Sequence, residues 1–341
     1  MPAPRVLFVK LSSLGDVIHH LPAVTDLARH RPGARIAWAV EEAYAPLVRL
    51  HPSVEQVIPV GLRNLRRSPL ERSRWATLAE ARRALARGGW DYVIDSQGLI
   101  KSALVARAAA GIRFGMDRRS SRERLAARFY DVGLPVARER HAVERNRDLV
   151  AQVFGYRPGA SADYGLRSPQ APPPWAPPAP YAVLLHAASR RDKAWPEERW
   201  VELGRLLAES GHASVLPGGT PRERATAARL AAAIPGALAA PESGLVDIAA
   251  LLAHAALVAG VDTGLTHLAV ALGRPTAGIY CATRPELTGL YGNDGVNLGG
   301  PGKPPSVEAV AAALGHAPPA EDPAPVVESP PPSADGLAPE G

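Results

Sequence analysis

The sequence predicts an α/β protein built from two doubly wound parallel sheets that face each other across a cleft. Three observations point there. Short β-branched and apolar runs alternate with stretches of helical periodicity, the alternation is interrupted by a proline-rich segment, and it then starts again. The first strand is expected over residues 5–9 (Arg-Val-Leu-Phe-Val), followed by a loop of small residues and a helix over 17–30, where apolar side chains recur at helical spacing. A strand over 34–40, a helix from Glu41, a strand over 54–60, a helix over 75–87 and a strand over 92–95 continue the first unit. Residues 168–180 then hold seven prolines in thirteen positions, a composition that favours extended chain over a packed element. Strands over 181–186, 213–217, 257–261 and 276–280, with helices over 196–210, 221–233, 246–255 and 264–272, form the second unit. The expected division is therefore 1–167, a linker at 168–180, 181–315, and a tail at 316–341 that is too poor in large apolar groups to fold.

Composition narrows the class. The chain has 341 residues, 21% of them charged and 46% apolar, which fits a globular protein of about two domains. No apolar run approaches the ~20 residues that span a bilayer, and the first ten residues lack the pattern of a cleaved signal, so a cytoplasmic location is expected. The single Cys281 is expected as a buried filler. None of the ten histidines falls into a metal-ligand spacing and no Asp-x-Asp pair is present, so neither metal nor cofactor is expected. Net charge is +6, but its distribution is uneven: residues 1–150 carry 26 Lys and Arg against 15 Asp and Glu, and the remainder 13 against 18. Such asymmetry suggests an anionic partner for the first unit, with a solvated Arg-rich surface as the alternative. The basic residues cluster at Arg63, Arg66, Arg67, Arg72 and Arg74 and again at Arg113, Arg118, Arg119, Arg122 and Arg124. Aromatics are 5% of the chain, too few to interleave as stacking platforms, which disfavours nucleic acid and favours a small phosphorylated or acidic acceptor. A non-catalytic binder of anionic surfaces is the alternative of a different class.

Chemistry concentrates in loops that follow strands. Lys10-Leu11-Ser12-Ser13-Leu14-Gly15-Asp16 lies at the C-terminal end of the first strand, where open α/β sheets bind ligands. Gly15 alone cannot make a dinucleotide fingerprint, and Asp16 would repel phosphates. At the start of a helix Asp16 is favoured in its ionised form and suits a base, although helix capping is an equally good reading of the segment alone. In the second unit, Gly260-Val261-Asp262-Thr263-Gly264-Leu265-Thr266-His267 reads as a strand end and a hydroxyl-rich helix start, a cradle for a diphosphate, with capping by Asp262 or Thr263 as the alternative. Lys193, on the loop after the strand at 181–186, offers a flexible ammonium to a phosphate. Leu216-Pro217-Gly218-Gly219-Thr220 makes a tight turn before Glu223, whose carboxylate suits ribose hydroxyls.

Five ordered blocks resemble one family. They are the Lys10–Asp16 loop with Val17-Ile18-His19, Asp95-Ser96-Gln97-Gly98-Leu99-Ile100-Lys101-Ser102, His141-Ala142-Val143-Glu144-Arg145-Asn146-Arg147, Asp192-Lys193-Ala194-Trp195-Pro196, and Gly260 through Leu268. Together they resemble the lipopolysaccharide heptosyltransferases of glycosyltransferase family 9, and more closely the heptosyltransferase I type than its sibling that adds a second heptose. The resemblance implies a GT-B fold and inverting transfer of L-glycero-D-manno-heptose from ADP-heptose to the first Kdo of Kdo2-lipid A, at the cytoplasmic face of the inner membrane. It implies Asp16 as catalytic base. It also implies a donor site of Lys193, Asp262, Thr263, Gly264, Leu265, Thr266 and His267, with Glu223 at the adenosine. The acceptor side it implies falls on Ser12, Ser13, Gly15, Gln97 and Lys101, with Arg63, Arg66 and Arg122 facing the acceptor's acidic groups.

Overall fold

The computed structural model describes residues 3–63 and 72–316, and among these it contains two parallel six-stranded sheets. The first is made of β1 (Arg5–Val9), β2 (Arg35–Glu41), β3 (Val54–Val60), β4 (Tyr92–Asp95), β5 (Ile112–Met116) and β6 (Val132–Leu134), in spatial order 3-2-1-4-5-6. The second repeats this winding with β7 (Tyr181–Leu185), β8 (Ala213–Leu216), β9 (Leu238–Ala239), β10 (Leu257–Val261), β11 (Thr276–Tyr280) and β12 (Gly295–Gly299), in order 12-11-10-7-8-9. Residues Val6 to Val9 of β1 are wholly buried because helices cover both faces of the sheet, which is why this strand reads as a continuous apolar run. Val6 pairs with Ile36 on one side and Tyr92 on the other, so β1 and β4 meet where the strand order reverses. The pair β7 and β10 occupies the same place in the second sheet.

The expected helix over 17–30 is two helices, α1 (Leu14–Ile18) and α2 (Leu21–His30). Pro22 is the cause. It has no N–H to give to the Ile18 carbonyl, and its ring would clash there, so the chain breaks at His19 and His20 and restarts with Pro22 in the first turn. Strands β5, β6, β9 and β12 carry little sequence signal because they are short or glycine-containing and lie toward the sheet edges.

One apolar cluster runs through both sheets' facing helices and joins Phe8, Leu21 and Leu149 to Leu252 and Leu268. The contact is close. A side chain at Gly264 would come within 2.6 Å of Leu14, so glycine at this position lets α1 approach the helix Gly264–Ala271. Residues 168–180 form neither helix nor strand, yet Pro173 is buried and Trp175 packs on the shared core. Cys281 is buried in the second sheet's own cluster. No helix among the described residues is long and apolar enough to cross a membrane. The expected tail lies, from residue 317 on, outside the described residues.

Candidate active site

In open α/β sheets the crevice beyond the carboxyl ends of the strands, at the reversal of strand order, is the natural ligand site. Here four segments leave the two reversal points: Lys10–Asp16 after β1, Ser96–Gly98 after β4, His186–Lys193 after β7 and Asp262–His267 after β10. The first, third and fourth of these line one cleft of about 400 Å³, and Ser96–Gly98 packs behind the first as its support.

On the first sheet's side the cleft is organised around Asp16. Its Oδ2 accepts from the Ser13 N–H at 3.0 Å and the Ser13 hydroxyl at 3.2 Å, while Arg122 donates to Oδ1 at 3.2 Å. The first of these contacts is a capping interaction, so the capping reading holds for one oxygen while the same carboxylate also lines the cleft. Burial pushes the Asp16 carboxyl up, but Lys10, Arg122 and the two Ser13 donors outweigh it and hold it below its ordinary range. Asp16 is therefore ionised at neutral pH. Lys10 is almost fully buried and donates to the Ser96 carbonyl at 2.9 Å and Asn146 Oδ1 at 3.2 Å. Burial, reinforced by Arg122 and Arg145 and opposed by Asp16 and Asp95, lowers its ammonium to about 8.

The turn after β4 fixes this arrangement. Asp95 is fully buried, and its carboxylate accepts from the Gln97 and Gly98 N–H groups, the Ser102 hydroxyl and the Tyr130 hydroxyl. Gly98 takes φ +67°, and a side chain there would press on the Arg122 main chain at 3.3 Å. The Glu123 N–H donates to the Gly98 carbonyl and the Glu123 carboxylate accepts from the Ile100 N–H. Arg122 is thus delivered to Asp16 by a segment docked on the β4 turn.

On the second sheet's side Asp262 is the hub. Its Oδ2 accepts from Lys193 Nζ and from the Thr283 hydroxyl, both at 2.7 Å, and His267 Nε2 lies 3.6 Å from Oδ1. Burial raises this carboxyl, but His267, Lys193 and Thr283 together hold it far below its ordinary range. Neither Asp262 nor Thr263 caps the helix Gly264–Ala271, since Thr263 makes no side-chain capping bond and the Asp262 oxygens are engaged elsewhere. The first N–H groups of that helix are left for an anion. Beyond Thr263 and Ser189, which line both spaces, a second recess of about 340 Å³ opens. Leu185, Pro217, Pro241, Ile248 and Leu265 make its walls apolar, and Ser243 and Glu223 add polar groups. It has the dimensions and character of a slot for a flat heterocycle.

The structure brings Ser13, Gly15, Asp16, Arg63 and Arg122 together with Lys193, Asp262, Thr263, Gly264 and His267 around the cleft. Leu265 and Glu223 line the second recess, and one Glu223 oxygen accepts from the Gly219 and Thr220 N–H groups as a helix cap. Two expected contacts are corrected by their surroundings. Thr266 is 1% exposed and its hydroxyl donates to the Val261 carbonyl at 2.7 Å, so it closes the helix onto β10 rather than facing a diphosphate. Gln97 is buried, accepts from the Leu11 N–H at 2.7 Å and donates to the Ser12 carbonyl at 2.6 Å, so it braces the Lys10–Asp16 loop rather than meeting an acceptor. Lys101 donates to the Ser12 hydroxyl at 2.9 Å outside the cleft wall. Arg66 lies outside the described residues. Sequence reading gave no role to Asn146, whose amide donates to the His19 carbonyl while its oxygen holds Lys10, nor to His19 or Thr283. The block His141–Arg147 was the signal for Asn146, but its partners are 127 and 136 residues away along the chain.

Comparison with known proteins agrees with this geometry. Residues 78–312 match the family model described as Glycosyltransferase family 9 (heptosyltransferase). The chain is 44% identical over 292 residues to lipopolysaccharide heptosyltransferase 1 of Escherichia coli (strain K12), covering 85% of this chain and 92% of that protein. It is 45% identical over 297 residues to the protein of the same name from Pseudomonas aeruginosa, covering 86% and 83%. Among solved structures, E. coli heptosyltransferase WaaC with ADP superposes with a TM-score of 0.84 at 41% identity, over 91% of this chain and 99% of that one. E. coli ADP-heptose lps heptosyltransferase II shares the fold at a TM-score of 0.66 and 21% identity, over 86% and 90%. With two like-wound parallel sheets opposed in the GT-B manner and family similarity running through both, the chain is a glycosyltransferase that belongs to family 9, the heptosyltransferases.

Proposed function

We propose that this enzyme transfers L-glycero-D-manno-heptose from ADP-heptose to the first Kdo of Kdo2-lipid A with inversion at the anomeric carbon. The observation that carries the reading is that an ionised Asp16 from one lobe and the Lys193–Asp262 pair from the other line the same cleft. In this reading residues 1–167 carry the acceptor side and 181–315 the donor side, joined by 168–180. The purine occupies the apolar recess and the diphosphate lies against Lys193 and the first N–H groups of the helix Gly264–Ala271. A relative solved with ADP-2-deoxy-2-fluoro heptose, 40% identical to this chain, supports the donor class.

The chemistry follows from charge. Asp16 accepts the proton of the acceptor hydroxyl as that oxygen bonds to the anomeric carbon, and the bond to ADP breaks with its electron pair leaving on the diphosphate. Lys193 and the helix N–H groups meet the charge that develops there. Because Arg122 and Lys10 make Asp16 a weak base, proton transfer proceeds late, once the attacking hydroxyl has become acidic by bonding to carbon. Arg63 and Arg122 at the cleft face the Kdo carboxylate, and the basic first half favours the anionic cytoplasmic leaflet at which the acceptor lies.

The test is direct: incubate the protein with ADP-heptose and Kdo2-lipid A and weigh the product. A single added heptose is expected, and Asp16→Asn should lower turnover by about 10²–10⁴ while leaving donor affinity within a few-fold. Addition only to an acceptor already bearing one heptose would transfer the assignment to the second-heptose enzyme, and an unaltered rate in Asp16→Asn would remove the base from the mechanism.

A further inference from the structure

The helix that carries Asp16 also carries a side chain across to the opposite lobe. His19 caps the C-terminal end of α1, three residues after Asp16, and is 4% exposed. Its Nε2 lies 3.4 Å from Nδ1 of His267, and the other nitrogen of His267 lies 3.6 Å from Asp262 Oδ1. The rings of His19 and His267 meet edge to face with centroids 4.6 Å apart. At the near end, the His19 carbonyl accepts from Asn146 Nδ2 at 2.9 Å, and Asn146 Oδ1 accepts from Lys10. Gly15 keeps this passage open, because a side chain there would sit 3.4 Å from the His267 ring.

We propose that His19 is a positioning residue for heptosyl transfer, which through His267 sets the orientation of the Asp262 carboxylate and so makes the donor site depend on the lobe that holds the base. This inference rests on the donor assignment made above. The direction of the chain follows from its end group. Asp262 is ionised and can only accept, so the His267 nitrogen facing it must carry hydrogen. Burial, with His267, His141 and Lys10 adding to it, drives the His19 imidazole well below its ordinary range, so it is neutral and has one N–H. Placed on Nε2, that hydrogen points at Nδ1 of His267 and leaves His267 with its own hydrogen on Nε2, aimed at Asp262. Each ring nitrogen between His19 Nε2 and Asp262 then faces a complementary group. With Oδ1 held from this side, Oδ2 is presented to Lys193 and Thr283, the two groups that a donor diphosphate and sugar approach. Removing His19 frees the His267 ring to turn and lets Asp262 withdraw Lys193 from an incoming diphosphate.

The experiment is steady-state kinetics, varying ADP-heptose and the Kdo-bearing acceptor separately, on the parent, His19→Leu, His19→Gln, His19→Asn, His267→Leu and the His19→Leu/His267→Leu double variant. Glutamine places its amide nitrogen near the Nε2 position of histidine, whereas asparagine reaches only the Nδ1 position. We expect His19→Leu to raise the donor KM about 10-fold with the acceptor KM within about twofold, the size of one lost hydrogen bond to a polar network. His19→Gln should recover most of that loss and His19→Asn should not. The double variant should be no worse than His267→Leu alone, because both substitutions cut the same row. An unchanged donor KM in His19→Leu, equal behaviour of the glutamine and asparagine variants, or losses that multiply in the double variant would overturn the inference. If His19→Leu fails to fold, the contrast between glutamine and asparagine decides alone. A parent protein that transfers no heptose would instead refute the proposed function, which separates the two failures.

Discussion

Acidification is predicted to destabilise this protein through histidines that the fold locks in the neutral form. His51 is 1% exposed; its Nδ1 accepts from the Ser53 N–H at 3.2 Å, which leaves its hydrogen on Nε2, 2.9 Å from the Thr25 hydroxyl. His141 is held in the same way: Nδ1 accepts from the Val143 N–H, and Nε2–H donates to the Gly289 carbonyl of the opposite lobe at 3.1 Å. A second proton on either ring would set N–H against N–H. Burial, the largest influence on each, lowers both from 6.5 to about 4. A histidine whose folded value lies below its unfolded one binds its proton more readily once the chain unfolds. Its contribution is therefore intact above about 6.5 and falls as pH drops toward 4. At pH 5 the linkage relation gives a loss of roughly 2 kcal/mol for each, so about 4 kcal/mol for the pair, a large part of the roughly 5–15 kcal/mol that holds a domain together. His19 and His20 act in the same direction; His20 is wholly buried between Phe8 and Trp38 with neither nitrogen hydrogen-bonded. The assay is urea denaturation followed by tryptophan fluorescence at pH 7 and pH 5, on the parent and on His51→Gln, whose amide keeps the contact to Thr25 and does not titrate. The variant should lose roughly 2 kcal/mol less than the parent over this interval. Equal losses would refute the claim that His51 is held neutral.

Three further outcomes follow from individual contacts. If Lys193 holds the donor as proposed, Lys193→Ala should raise the ADP-heptose KM and lower kcat together, about 10-fold or more in kcat/KM, since an ammonium on a diphosphate acts in the ground state and more strongly as charge builds; steady-state kinetics with unchanged constants would contradict that role. Gln97→Leu leaves the Leu11 N–H and the Ser12 carbonyl without partners and should cost roughly 2–4 kcal/mol and much of the turnover, read by thermal denaturation alongside the transfer assay, whereas an unaltered melting temperature would show that the brace is dispensable. Arg147→Leu strands the carboxylate of Asp26, the two side chains being only 4% and 6% exposed, and should destabilise by about 3–5 kcal/mol; a chemical-denaturation midpoint close to the parent's would refute the importance of the pair.

Much of the architecture was legible along the chain because its signals are local. The apolar runs of β1, β7, β10 and β11 and the periodicity of the helices Glu197–Glu209 and Pro221–Ala233 reflect burial of each element against its own neighbours. The break between α1 and α2 was also written there, in Pro22, but strong periodicity on either side of it masks the interruption. Short edge strands such as β6 and β12 are decided by the sheet they join, and their residues carry little preference of their own.

By itself, then, the sequence determined two like-wound sheets and the loops that hold Asp16, Lys193 and Asp262, since a strand followed by a small-residue turn and a helix start is encoded within a few neighbouring positions. Only the tertiary structure decided what those residues touch. Arg122 reaches Asp16 across 106 residues, Asn146 reaches Lys10 across 136, and His19 reaches His267 across 248. It also turned two expected ligand contacts, Gln97 and Thr266, inward to the main chain. The physical reason is that hydrogen bonds and ionisation depend on distance and burial, which are set when the sheets pack together, and neither can be read from spacing along one chain.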